Sequence, residues 1–196
     1  METAGLTVPS LTFMSREPPA LSEDEVHVVR LGSGDRAEAG RAMRQVLAGY
    51  LGTAPGSIRI VAGPHGKPEL AGGELSFNLS HSGDLALVAV ARGRAVGVDV
   101  ERVEPRRDVS ALAGRALDKT DAETVLALPA AERPGAFHRA WARREAVAKC
   151  AGTGLATPPP AGARQVYDLE VGEGYAAALA VEGAAPVRVR MLDGGA

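Results

Sequence analysis

A chain of 196 residues, 45% hydrophobic and 23% charged, has an ordinary globular balance; this excludes wholesale disorder and leaves room for one full domain or two small halves sharing a core. The formal net charge of −2 at pH 7 excludes a global pull toward nucleic acid or an anionic membrane, so a preference for a charged partner has to come from a local patch. The single cysteine, Cys150, excludes an intrachain disulfide and a thiolate metal cluster, and it suits a reducing cytoplasm.

Residues 1–20 carry Pro9, Pro18 and Pro19 and read as a loosely held lead-in, without the basic and apolar regions of a signal peptide. No apolar run approaches the ~20 residues of a membrane span. Val26, Val28 and Val29 suggest a short strand. Met43, Val46, Leu47, Tyr50 and Leu51 recur at helical spacing, which predicts a helix over 35–51 ended by Gly52. Ile58–Val61 reads as a strand and is followed by a punctuated loop, Gly63-Pro64-His65-Gly66-Lys67-Pro68.

Strands are expected at 75–79 and 85–91, the second forming a hairpin with 96–101 across a turn at Gly93 and Arg94. Thr120 and Glu123 have capping-box spacing ahead of Val125 and Leu126. A longer helix is expected from Pro134 to about Cys150, with Gly152 and Gly154 beyond it. Pro158–Pro160 forms a stiff loop, and strands are expected at 166–171, 175–181 and 187–191. A helix followed by strands thus occurs twice. The order predicts an α+β fold, a pseudo-dimer of two similar halves at 1–102 and 103–196, each a helix packed on antiparallel strands, with the active site between them.

Four stretches carry candidate chemistry. In Gly97-Val98-Asp99-Val100-Glu101, strand alternation puts Asp99 and Glu101 on one face, where two carboxylates can hold a hard cation such as Mg²⁺. In the helix from Trp141, the side chains of Trp141, Glu145 and Lys149 are spaced four apart and share a face that offers a base and a proton donor. Asn78-Leu79-Ser80-His81-Ser82 offers amide, hydroxyl and imidazole groups to a phosphate. Gly66-Lys67-Pro68 presents a point positive charge without the spacing of a Walker loop. Each has a plainer reading alone: a solvent-facing strand end, a surface ion pair worth ~0.3–0.5 kcal/mol, a turn between strands, a charged loop.

Taken in order, Gly-Lys-Pro, Asn-Leu-Ser-His-Ser, Gly-Val-Asp-Val-Glu and Trp-x-x-Arg-Glu-Ala-x-x-Lys-x-x-Gly resemble the phosphopantetheinyl transferase family of the Sfp type, over about 63–155. The resemblance implies a cytoplasmic, monomeric enzyme that moves the 4′-phosphopantetheine arm of coenzyme A to a serine of an apo carrier protein (acyl, polyketide or peptidyl), releasing 3′,5′-ADP. It implies Mg²⁺, with Mn²⁺ as a substitute, on Asp99, Glu101 and Glu145. Glu145 would also serve as base, and Lys149 would act on the leaving oxygen. Arg41, Lys67, Asn78, Ser80 and His81 would hold coenzyme A, and no nucleic acid or membrane is a partner. Two positions depart from the pattern: Arg144 stands where the family usually has Lys, and the basic segment before the first helix is short, leaving Arg36, Arg41 and Arg44.

Arg139, Arg143 and Arg144, with Arg102, Arg106 and Arg107, offer basic surface for an acidic carrier, or else a solvated helix face and loop. His65 and His138 read as incidental polar residues and Cys150 as a small packed side chain. Other activities remain open at this point: a family member that binds coenzyme A or a carrier without catalysis, or a different magnesium-dependent phosphotransferase or hydrolase.

Overall fold

The computed structural model describes residues 18–32, 34–105, 108–155, 157–158 and 160–194; Pro9, Arg106, Arg107 and Pro159 lie outside the described residues. In chain order the elements are β1 (Glu25–Gly32), α1 (Arg36–Leu51), β2 (Ile60–Ala62), β3 (Pro68–Leu70), β4 (Ser76–Ser82), β5 (Leu85–Ala91) and β6 (Val96–Arg102). There follow α2 (Ser110–Ala116), α3 (Lys119–Ala127), α4 (Arg133–Ala151), β7 (Arg164–Leu169), β8 (Tyr175–Glu182) and β9 (Arg188–Asp193). The fold is α+β.

One sheet has the order β4-β5-β1-β9, with β9 parallel to β1 and the other pairs antiparallel. A second, β6-β8-β7, is antiparallel throughout. All seven residues of β5 are buried because both of its faces are covered. Ala86, Val88 and Val90 pack toward α1, while Leu85, Leu87, Ala89 and Ala91 pack toward Val96, Val98, Val100 and Leu179 of the second sheet. An unbroken apolar run is what such a doubly covered strand requires.

α1 begins at its N-cap, Asp35, whose carboxylate accepts from the Glu38 amide at 2.8 Å. Gly40 and Gly49 inside the helix each cost about 1 kcal/mol. Burial of Met43, Val46 and Leu47 outweighs that, at roughly 1.5–3 kcal/mol per fully buried side chain. α4 is of another kind. Its face toward β8 is built from Ala142, Ala146 and Cys150, which meet Ala178 and Ala180. Small residues on both sides let the helix axis come close to the sheet. A Cβ at Gly97 of β6 would lie 2.2 Å from the Ala146 carbonyl oxygen and 2.2 Å from the Cys150 nitrogen.

Two expectations are corrected. The hairpin partner of β5 is β4, paired from Ser76↔Ala91 to Ser82↔Leu85 across Gly83 and Asp84, whereas the turn at Gly93 carries the chain into the second sheet. The physical reason lies in the polar side chains of β4. Asn78 Oδ1 accepts from the Val98 amide (2.9 Å), Ser80 Oγ from the Val100 amide (3.2 Å) and Ser82 Oγ from the Arg102 amide (3.0 Å). Alternate side chains of β4 thereby satisfy the amides on the free edge of β6, and the two sheets join along a polar seam. The capping residue of α3 is Asp118, which accepts from the Asp121 amide at 2.9 Å, in place of Thr120.

Substituting Gly97→Ala forces backbone apart and is expected to lower stability by about 2–3 kcal/mol. Urea unfolding followed by Trp141 fluorescence checks this as a lower midpoint with an unchanged m-value. A second prediction concerns β1, where His27 is fully buried, Nδ1 lies 2.7 Å from the Tyr50 hydroxyl, and Nε2 lies 3.6 Å from Glu25, beyond hydrogen-bond reach. Burial, then the charge of Arg190, pulls its pKa below the ordinary 6.5, against Glu25. The folded protein therefore binds fewer protons than the unfolded one. This contribution to stability is complete above about pH 6.5 and is lost as pH falls through the depressed folded value. His27→Gln is expected to flatten the fall in unfolding free energy as pH drops below about 6.5, measured by urea titrations at successively lower pH.

Candidate active site

β6 supplies the acidic face. Gly97, Asp99 and Glu101 alternate with Val96, Val98 and Val100, so the valines enter the core between the sheets and the carboxylates meet α4. One α4 turn separates Glu145 from Lys149, and another separates Trp141 from Glu145, which puts all three along the face turned to β6. The Lys149 ammonium donates to Asp99 Oδ1 at 2.5 Å and to Ser80 Oγ at 3.1 Å, and Ser80 Oγ lies 2.9 Å from the same Asp99 oxygen. Trp141 Nε1 donates to Glu101 Oε1 at 3.1 Å, and its ring stacks on Phe137 at 6.4 Å.

Asp99 is 3% exposed, and its Oδ2 has no hydrogen-bond partner among the described residues. Burial drives its carboxyl above the ordinary range, against the pull of Lys149 and Ser80. Burial also raises Glu101, with the Asp99 charge and Glu145 adding to it, to about 7; Trp141 and Lys149 oppose the shift. Glu145 is raised by burial and by Asp99, against Lys149 and Arg144. Three carboxyl groups thus share one region with a single close ammonium, a donor set of hard oxygens whose mutual repulsion a divalent cation relieves. The orphaned Oδ2 of Asp99 is the clearest mark of that fit. As placed, no three acidic, histidine or cysteine side chains among the described residues converge on a single point.

A cavity of about 330 Å³ opens beside this cluster. Lys67, Asn78, Glu145 and Lys149 line it, together with Arg36, His65 and Met43. Ser80 and Asp99 adjoin it through Lys149. His81 continues the β4 face of Phe77 and Leu79, and its Nε2 is buried without a partner among the described residues. Arg41 is exposed on α1 and is not part of the wall, whereas Arg36, five residues earlier, is. His65, read from the sequence as incidental, stands in the wall with a left-handed backbone (φ 55°). Arg139, Arg143 and Arg144 on α4 are all exposed, and Arg143 is held by both oxygens of Asp168. Cys150 is buried, its thiol pushed up by burial, and His138 is buried with Nδ1 2.6 Å from the Pro134 carbonyl.

Residues 95–191 match the 4′-phosphopantetheinyl transferase superfamily. The chain is similar to the 4′-phosphopantetheinyl transferase HetI of Nostoc, with 40% identity over 126 residues, covering 62% of this chain and 53% of that protein. It is similar to the 4′-phosphopantetheinyl transferase AcpT of Salmonella typhimurium, with 32% identity over 62% of each chain. A third relative is the L-aminoadipate-semialdehyde dehydrogenase-phosphopantetheinyl transferase of Xenopus laevis, 33% identical over 61% of this chain and 44% of that one. The matches thus span between 44% and 62% of these relatives' lengths.

Replacing Lys149 with Met leaves Asp99 buried without its counter-charge. The side chains are 29% and 4% exposed, respectively. A loss of about 3 kcal/mol at pH 7.5 is expected, read as a shift in the urea midpoint, and Lys149→Arg is expected to recover part of it.

Proposed function

Because the chain belongs to the 4′-phosphopantetheinyl transferase superfamily, we propose that it transfers the 4′-phosphopantetheine arm of coenzyme A to a serine of an apo carrier protein, of acyl, polyketide or peptidyl type. The observation that carries this reading is the cluster of Lys149, Asp99 and Ser80 with Glu145 at the edge of the 330 Å³ cavity. The four stretches that resemble the Sfp type meet there.

In the reaction, the serine oxygen attacks the β-phosphorus of coenzyme A. A new oxygen–phosphorus bond forms, the bond to the bridging pyrophosphate oxygen breaks, and 3′,5′-ADP leaves. Glu145, whose basicity is increased by burial and by Asp99, takes the serine proton directly or through a water. Lys149, which reaches Asp99 and Ser80, supplies a hydrogen bond or proton to the departing oxygen. Asp99, Glu101 and Glu145 would hold Mg²⁺, or Mn²⁺ in its place, which supplies charge neutralisation to the pyrophosphate. Glu145 acting as ligand gives up basicity, so its two roles compete.

Coenzyme A is assigned to the cavity, with Lys67, Asn78, Ser80 and His81 on the phosphate side. Arg41, with Arg36 nearer the wall, is assigned to the 3′-phosphate through charge-assisted contacts. Arg139, Arg144 and Arg102 are the exposed basic residues offered to an acidic carrier. A division into halves near residue 102 belongs to the same proposal. A helix and a sheet on each side of the polar seam support it, with β9 crossing over to complete the first sheet. A monomer in the cytoplasm completes the reading. The buried lone thiol suits a reducing compartment, and no helix among the described residues is long and apolar enough to cross a membrane.

Intact-protein mass spectrometry of an apo carrier incubated with this protein, coenzyme A and Mg²⁺ tests the function. The carrier is expected to gain one phosphopantetheine arm, and to gain none after chelation. Glu145→Gln is expected to slow transfer at least a hundredfold with the fold intact, since it removes a base and a ligand together. Free phosphopantetheine with an unmodified carrier would mean hydrolysis. Coenzyme A binding without any product across several carriers would mean a non-catalytic member.

A further inference from the structure

Lys67 stands 83 positions before Cys150, yet its ammonium donates to the Cys150 carbonyl at 3.1 Å and to the Val96 carbonyl at 3.0 Å. These acceptors lie on two different elements, the last turn of α4 and the first residue of β6. At the end of α4, the Gly152 amide closes onto the Ala148 and Lys149 carbonyls, and the Thr153 amide returns to Ala148. The Cys150 carbonyl is closed by a charged side chain from elsewhere in the fold. A cation at the C-terminal end also meets the negative end of the helix dipole.

The same place is where the helix comes closest to β6. Gly97 faces the Cys150 nitrogen, and Cys150 Sγ donates to the Ala95 carbonyl at 3.4 Å. Lys149 is the residue immediately before Cys150, and its side chain reaches Asp99 and Ser80. Lys67 therefore fixes the Cys150–Ala151 peptide, in the same helical turn as Lys149. On its other side, Lys67 belongs to the loop that walls the cavity. The Gly63 amide donates to the Lys67 carbonyl at 2.7 Å, and the loop passes through left-handed His65 and Gly66 between β2 and β3. An ammonium has three protons, and two are engaged by these carbonyls.

We propose that Lys67 couples binding in the cavity to the seating of α4: two of its protons hold the last turn of the helix onto β6, and the third answers an anion in the cavity. Under the proposed function, on which this second half rests, that anion is a phosphate of coenzyme A. Lys67 is then a positioning residue for Lys149 and Glu145 as well as a ligand contact. Coenzyme A tightens the contact that places the catalytic helix.

The test combines two readouts on Lys67→Met, with Lys67→Gln as the replacement should Met not fold and Lys67→Arg as the conservative variant. In protein without ligand, hydrogen exchange in the segment 147–153 is expected to quicken about tenfold in Lys67→Met, and to return toward the wild-type rate in Lys67→Arg. With coenzyme A, calorimetry is expected to show at least fivefold weaker binding, and kcat at saturating coenzyme A is expected to fall about tenfold. Weaker binding with unchanged exchange and unchanged kcat would make Lys67 a ligand contact only and overturn the coupling. Faster exchange with unchanged affinity would make it a brace only and overturn it equally. A wild-type protein that binds no coenzyme A overturns the functional reading and the coupling together, and is recognised before any variant is measured.

Discussion

The distance between α4 and β6 governs the candidate site, and a hydrogen in place of a Cβ at Gly97 sets that distance. With backbone atoms of Ala146 and Cys150 where a methyl would stand, the helix lies directly on the strand. Its interface with β8 is alanine on alanine for the same reason, since larger side chains at Ala142, Ala146, Ala178 or Ala180 would lift it away. At this separation an ammonium on α4 reaches a carboxylate on β6 at hydrogen-bond distance, and an indole reaches the next carboxylate along. The burial that raises all three acids is a result of the same approach.

The polar seam ties this geometry to the rest of the molecule. β6 has β8 on one edge and, on the other, β4 side chains in place of a backbone ladder. Ser80 belongs to both systems. Its oxygen accepts from the Val100 amide and also lies within reach of Asp99 and Lys149. A shift between the sheets is therefore felt by the carboxylate, and a change in the carboxylate is felt by the seam. Asn78-Leu79-Ser80-His81-Ser82 thus has a structural duty on one face and presents Leu79 and His81 on the other.

Much of this was legible from local pattern. The alternation in Gly97–Glu101 and the four-residue steps of Trp141, Glu145 and Lys149 each define a face by backbone geometry alone, and Asp35, Gly52 and Gly152 mark helix ends by their own chemistry. What was not legible depends on distant partners. The hairpin expected between β5 and β6 had a suitable turn at Gly93, yet strand pairing is decided by which edge satisfies which amides. α2, seven residues of mostly small side chains, carried no clear periodicity. That Arg36 reaches the cavity wall while Arg41 does not follows from the pitch of α1 against the loop after β2, and the link between Lys67 and Cys150 follows from the fold as a whole.

One crystal structure with coenzyme A and Mn²⁺ tests the assignment of the site most directly. Coenzyme A is expected in the cavity between α1, the 63–67 loop and α4, with its pyrophosphate toward Lys149 and the anomalous signal of manganese beside Asp99, Glu101 and Glu145. Coenzyme A bound elsewhere with this cavity empty, or manganese away from those carboxylates, would contradict it.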